Sequence, residues 1–167
     1  ILDLAENSIR AGASIICVSV REEPARNRLE IVVEDNGPGL PVAPEHALDP
    51  FYTTKCGKRT GLGLSMFQAA AEQAGGSFDI APSDWGGTRV RAVMQLDHVD
   101  RAPLGDLSGT LSVLVCTNPG IDFWCRVRVH GREHCVRSGV LEQEVMNEGG
   151  DAVALARRFG EAVRTAT

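Results

Sequence analysis

Hydrophobic and polar positions divide the first 97 residues into helix, hairpin, loop, helix and hairpin. In "ILDLAENSIRAGAS", Leu2, Ala5 and Ile9 fall on one helical face. Asp3, Asn7 and Arg10, spaced four and three apart, share another, and the helix is expected to end near Gly12. "IICVSV" and "LEIVVED" read as strands. The second alternates, with Leu29, Ile31 and Val33 against Glu30, Val32 and Glu34. The polar stretch "REEPARNR" between them predicts a hairpin. From Asn36 to Thr60 periodicity fades. This stretch holds Pro38, Pro41 and Pro44 and then "DPFYTTKCGKRT", with a short helical turn expected near "APEHAL". A loop of that length in a compact domain is usually functional or mobile. "GLGLSMFQAAAEQAGG" then reads as a helix with a glycine-rich entry, stopped by Gly75 and Gly76. "SFDIAPS" and "TRVRAVMQL" are strands, and "DWGG" between them has the glycines of a hairpin turn.

Near Asp97 the pattern changes. "DHVDRAPLGD" is polar and carries a proline, as a linker does. "LGDLSGTLSVLVCTN" favours helix over strand. "IDFWCRVRVH" and "REHCVRS" predict a hairpin about Gly131, and "LEQEVM" and "DAVALARRFGEAVRT" predict helices. The division is therefore 1–97 as one domain and 98–167 as linker plus a small α/β extension. The extension is expected to pack on the first domain or to form a dimer, with Phe123 and Trp124 in its core.

Composition narrows the class. A chain of 167 residues, 43% hydrophobic and 23% charged, can bury a core without staples. The net charge of −5 lacks the basic footprint of a nucleic-acid binder. No apolar run approaches the roughly 20 residues that span a bilayer. The opening on Ile1 in mid-helix leads us to expect a fragment of a longer protein. Five cysteines, an odd number with no CxxC pair, argue against a disulfide framework or zinc site and for a reducing cytoplasm. Cys17, Cys116 and Cys125 lie in apolar runs as small core residues. Cys56 sits among Lys55, Lys58 and Arg59, which favour its thiolate.

Each chemical feature has an innocent reading: a solvated helix face, a turn, a glycine-rich helix start. Their set and order carry the signal. The amides at a helix N-terminus bind anions, and Gly61 and Gly63 let phosphate oxygens approach that backbone. Arg10, Lys55 and Arg59 supply positive charge. The Asn7 oxygen is a hard ligand suited to Mg²⁺. Asp3, one helical turn away, could orient or deprotonate a nucleophile. Asp35, at the end of a strand, can accept from an exocyclic amine. Together these meet the needs of Mg–ATP without a Walker motif.

"LDLAENSIRAGAS", "EDNGPGL", "DPFYTTK", "GLGLSM" and "GGT" resemble, in order, the asparagine box and the glycine and phenylalanine boxes of the GHKL ATP-binding superfamily. The resemblance covers roughly residues 1–97. It implies a two-layer α/β sandwich, a mixed and mostly antiparallel sheet covered by helices on one face (the Bergerat-type fold), with ATP between helices and lid. By this resemblance Asn7 ligates Mg²⁺ and Arg10 contacts phosphate. Asp35 binds the adenine amino group, and Gly37 and Gly39 permit close approach of the base. Residues 40–60 form the lid, anchored by Phe51, with Lys55 and Arg59 near the β- or γ-phosphate. Gly61, Leu62, Gly63 and Leu64 cradle the phosphates, and Thr88 supports the water network between Asp35 and adenine. The wording of "DPFYTTK" and "KCGKRTGLGLSM" resembles sensor histidine kinases, which implies transfer of the γ-phosphoryl group to a partner protein. "LAENSIRAGAS" is similar to the mismatch-repair ATPases, with Asp3 where they carry glutamate, and implies a hydrolytic switch. An anti-sigma-like ATP-binding regulatory module is the third reading. His46, His98, His130 and His134 read as surface or packing residues, so the phosphoacceptor is expected elsewhere.

Overall fold

The computed structural model describes residues 1–40, 42, 46 and 62–167. In chain order the elements are α1 (Leu2–Arg10), β1 (Ile15–Glu23), β2 (Arg28–Asp35), α2 (Leu62–Gln73), β3 (Ser77–Pro82) and β4 (Thr88–Gln95). They continue with α3 (Leu107–Thr117), β5 (Asp122–Val129), β6 (Arg132–Arg137), α4 (Ser138–Asn147) and α5 (Ala152–Ala166). The strands form one sheet in the order β3-β4-β2-β1-β5-β6. All neighbours are antiparallel except β1 and β5, which run parallel. The expected mixed, mostly antiparallel sheet under a helical layer is thus the observed fold. The turn expected near "APEHAL" lies outside the described residues.

Period-two alternation explains how the sheet faces are sorted. Register aligns Val33 of β2 with Val18 of β1 and Val90 of β4, and Val18 with Cys125 of β5. Their row neighbours Ile16, Val20, Ile31, Ala92, Phe123 and Val127 share that buried face. Leu4 and Ala5 of α1, Ala71 and Ala74 near the end of α2, Leu111 and Leu114 of α3, and Phe159 and Val163 of α5 close over it in one core. The opposite face carries Arg28, Glu30, Glu34, Ser19, Arg21, Arg89, Arg91 and Arg126. On it Arg91 and Arg28 both pair with Glu30.

Chain reversals follow local chemistry. Both strands of the first hairpin run further than the sequence pattern predicts, pairing out to Glu23 with Arg28. A 3-10 turn at Pro24–Arg26 and a left-handed Asn27 close it. The β5–β6 hairpin turns through left-handed His130 and Gly131, as a two-residue loop requires. Asp106 and Asp151 cap α3 and α5 by accepting from the backbone of Gly109 and Ala154.

The segment beyond residue 98 packs on the first unit, and one expectation changes. β5 pairs with β1, so the chain beyond residue 98 adds β5 and β6 to the sheet that begins in the first hairpin. Phe123 is core as expected, but Trp124 points to the opposite, open face and lies against Trp85. Period-two alternation forces that split, because adjacent residues cannot both face the helices. Cys17 and Cys125 are buried, Cys116 is half-buried and Cys135 is exposed. Burial pushes the Cys125 thiol up to about 12. No helix among the described residues is long and apolar enough to cross a membrane.

Candidate functional site

β2 delivers Asp35 to a position between α1 and the β3–β4 turn. Its carboxylate is only 5% exposed, and among the described residues three donors meet it. The backbone N–H of Gly37 (2.9 Å) and of Thr88 (3.2 Å) donate to Oδ1. The hydroxyl of Ser8 donates to Oδ2 at 2.6 Å. A carboxylate has about four acceptor positions, so Oδ2 keeps one for a further donor.

The backbone around this carboxylate leaves no room for side chains. A Cβ at Gly87 would stand 2.2 Å from Asp35 Oδ1 and 2.6 Å from the Gly37 nitrogen. One at Gly37 would stand 3.1 Å from the same Oδ1. Gly39 has φ +81° and faces the carbonyls of Gly86 and Gly87. The glycines of "DNGPGL" and "GGT" therefore bring two turns together at Asp35. Asn36 fastens the first of these turns: its Oδ1 accepts from the N–H groups of Ser14 and Ile15, both at 2.9 Å.

α1 also carries a polar face. Asn7 is half-buried, and its Oδ1 accepts from the Arg10 guanidinium, which also pairs with Glu6 at 3.3 Å. Asp3 is exposed on the first turn of α1. A Cβ at Gly63 would come 3.1 Å from Asp3 Cβ, so the glycine-led start of α2 abuts that turn. Leu64 packs on the core, and α2 begins at Leu62. Phe51, Lys55, Arg59 and Gly61 lie outside the described residues.

Of the residues singled out in the sequence, Asp35 meets Gly37 and Thr88, Asn7 meets Arg10, Asp3 abuts Gly63, and Gly39 lies against the Gly86–Gly87 turn. Sequence reasoning passed over Ser8, Asn36 and Glu6. For Ser8 a signal existed: it follows Leu4 by four residues, so a hydroxyl stands on the apolar stripe of α1 and needs a buried partner. Thr88, expected to support the water network between Asp35 and adenine, meets Asp35 through its backbone N–H.

A six-stranded sheet under a helical layer, with a buried carboxylate at the end of β2, makes an α/β sandwich. The chain belongs to the family of histidine kinase-, DNA gyrase B- and HSP90-like ATPases, which matches residues 1–98. It is similar to the sensor kinase CckA of Brucella abortus, with 34% identity over 154 residues, 80% of this chain and 16% of that protein. It is also similar to the sensor histidine kinase ZraS of Escherichia coli O157:H7, with 29% identity over 106 residues, 63% of this chain and 23% of that protein. The chain thus spans less than a quarter of the length of either relative. Among solved structures, the ATP-binding domain of PrrB from Mycobacterium tuberculosis shares 23% identity, with 56% of this chain and 64% of that chain covered and a TM-score of 0.41. Membership in this family makes ATP the nucleotide of the fold.

Proposed function

We propose that this chain is the Mg–ATP-binding catalytic part of a cytoplasmic signalling protein of histidine-kinase type, and that it passes a phosphoryl group to a partner protein. Residues 1–97 form the nucleotide unit, and 98–167 are a linker and an α/β extension of it. The single observation behind this reading is the Asp35 carboxylate, buried, held by three fixed donors and left with one acceptor position. The residues present suit the nucleotide. Asp35 would accept from the adenine amine, and Gly37, Gly39 and Gly87 keep side chains away from the base. Asn7 would hold Mg²⁺ through Oδ1, with Arg10 released from that oxygen to meet phosphate. ATP, when bound, supplies the γ-phosphoryl group. The protein's part is positioning and charge stabilisation.

The position of Asp3 favours a second reading, in which the same site hydrolyses ATP as a conformational switch. Its side chain stands against Gly63 at the start of α2, where a carboxylate could orient water. Calorimetry of the whole chain with ATP, with and without Mg²⁺, tests the site. Asn7→Ala should abolish the Mg²⁺-dependent part of binding, and Asp35→Asn should weaken ATP by about 1–3 kcal/mol. Unchanged Mg–ATP affinity in Asn7→Ala would refute the metal assignment. Labelling of a partner from γ-labelled ATP supports the kinase reading, whereas steady phosphate release lost in Asp3→Ala supports the switch.

A further inference from the structure

The turn that touches Asp35 carries an indole that the nucleotide site does not use. Among the described residues, this turn is fastened twice to the end of β2. The Ser83 hydroxyl donates to Glu34 at 2.8 Å, and the Thr88 N–H donates to Asp35. Ser83 also accepts from the N–H of Trp85 at 2.9 Å, which fixes where that indole leaves the turn. Trp85 reaches across the open face to Trp124 of β5, with ring centroids 5.3 Å apart and planes at 61°. The Arg126 guanidinium stands 5.8 Å and 5.3 Å from the two rings. Arg137 of β6 covers Trp124 at 4.0 Å.

Trp124 is itself held from behind. Its Nε1 donates to Asp122 Oδ2 at 2.6 Å, and Arg137 donates to the same oxygen. Asp122 Oδ1 accepts from the Gly139 N–H at 2.7 Å at the start of α4. Cys17 pairs in register with both Glu34 and Trp124 and is 1% exposed although it lies on the open face.

We propose that the Trp85–Trp124 pair is a positioning element of the nucleotide site, through which the segment beyond residue 98 holds the Gly86–Thr88 turn against Asp35. This rests on the ATP reading above. Trp85 and Trp124 lie on the sheet face opposite the helices. They reduce the freedom of the turn whose N–H fixes the Asp35 carboxylate, so the ordering needed to read a base is already in place before binding. Loss of either ring frees Asp35 and blunts its choice of base more than it affects phosphate binding.

The test uses the whole chain, ATP and GTP, calorimetry and urea unfolding. Trp85→Ala and Trp124→Ala should each weaken ATP binding by about 3–10-fold, the range that one aromatic pair supplies. GTP binding should fall less, so the ATP-to-GTP preference narrows. The double variant should be no weaker than the poorer single one, because both remove the same contact. Trp85→Phe should recover most of the affinity. Because both tryptophans of the chain lie in this pair, saturating ATP should also shift the wild-type indole emission. Should Trp124→Ala not fold, Trp85→Ala carries the comparison alone. A folded Trp85→Ala with wild-type ATP affinity would overturn the proposal, as would equal losses for ATP and GTP, which mark general loosening. Wild-type protein that bound neither nucleotide would refute the ATP reading itself, and this inference with it.

Discussion

Ser8→Ala isolates the contact that ties α1 to the end of β2. The two side chains are 27 residues apart in sequence and both almost fully buried, at 6% and 5% exposure. Alanine removes one oxygen and leaves the rest of the side chain, so the cavity term is small and the hydrogen bond dominates. A hydrogen bond to a charged group contributes about 1.5–3 kcal/mol, and here the lost donor leaves Asp35 Oδ2 without the protein partner at 2.6 Å. We expect about 2 kcal/mol of destabilisation. With a urea m-value of about 2 kcal/mol/M for a small protein, the midpoint should fall by about 1 M. Equilibrium urea unfolding followed by far-UV circular dichroism measures it. The same substitution in an Asp35→Ala background should have much less effect, because its partner is already gone. A single-variant midpoint within about 0.2 M of wild type, or an equal loss in both backgrounds, would refute the reasoning and make Ser8 a packing residue.

Further outcomes follow from other contacts. Gly76→Ala should destabilise by about 3 kcal/mol or more, because the new Cβ would lie 1.7 Å from the Val93 carbonyl oxygen. Wild-type stability of that variant would contradict the close approach of the α2–β3 junction to β4. Asp122 should make stability pH-dependent. Burial opposes its charge, but donors from Gly139, Trp124 and Arg137 outweigh this and hold its carboxyl below the usual aspartate value. A depressed carboxyl contributes fully above the pKa of the unfolded chain and less as pH falls below it, until the folded carboxyl is protonated too. Asp122→Asn should therefore lose stability at neutral pH and show a shallower acid decline in urea midpoints. An unchanged slope would assign the acid sensitivity elsewhere.

Local pattern alone made the helices and hairpins of the described residues legible, and with them the place of Asp35 at a strand end. Apolar period decides which face of α1 is buried, alternation decides which side of β2 is core, and glycines mark where backbones must approach. These are properties of neighbours a few residues apart. The family's motifs add order to that pattern, which is why Asp35, Asn7 and the glycine-led helix were legible together. Only the tertiary structure decided what meets across the sheet. The parallel pairing of β5 with β1 depends on which edge is free once the first hairpin has formed, and no local signal in "IDFWCRVRV" states it. Ser8 became a partner of Asp35, and Trp124 a partner of Trp85, through contacts 27 and 39 positions apart along the chain. Such contacts are selected by burial and register in the assembled sheet, so a sequence can show that a hydroxyl or an indole needs company without showing which residue provides it.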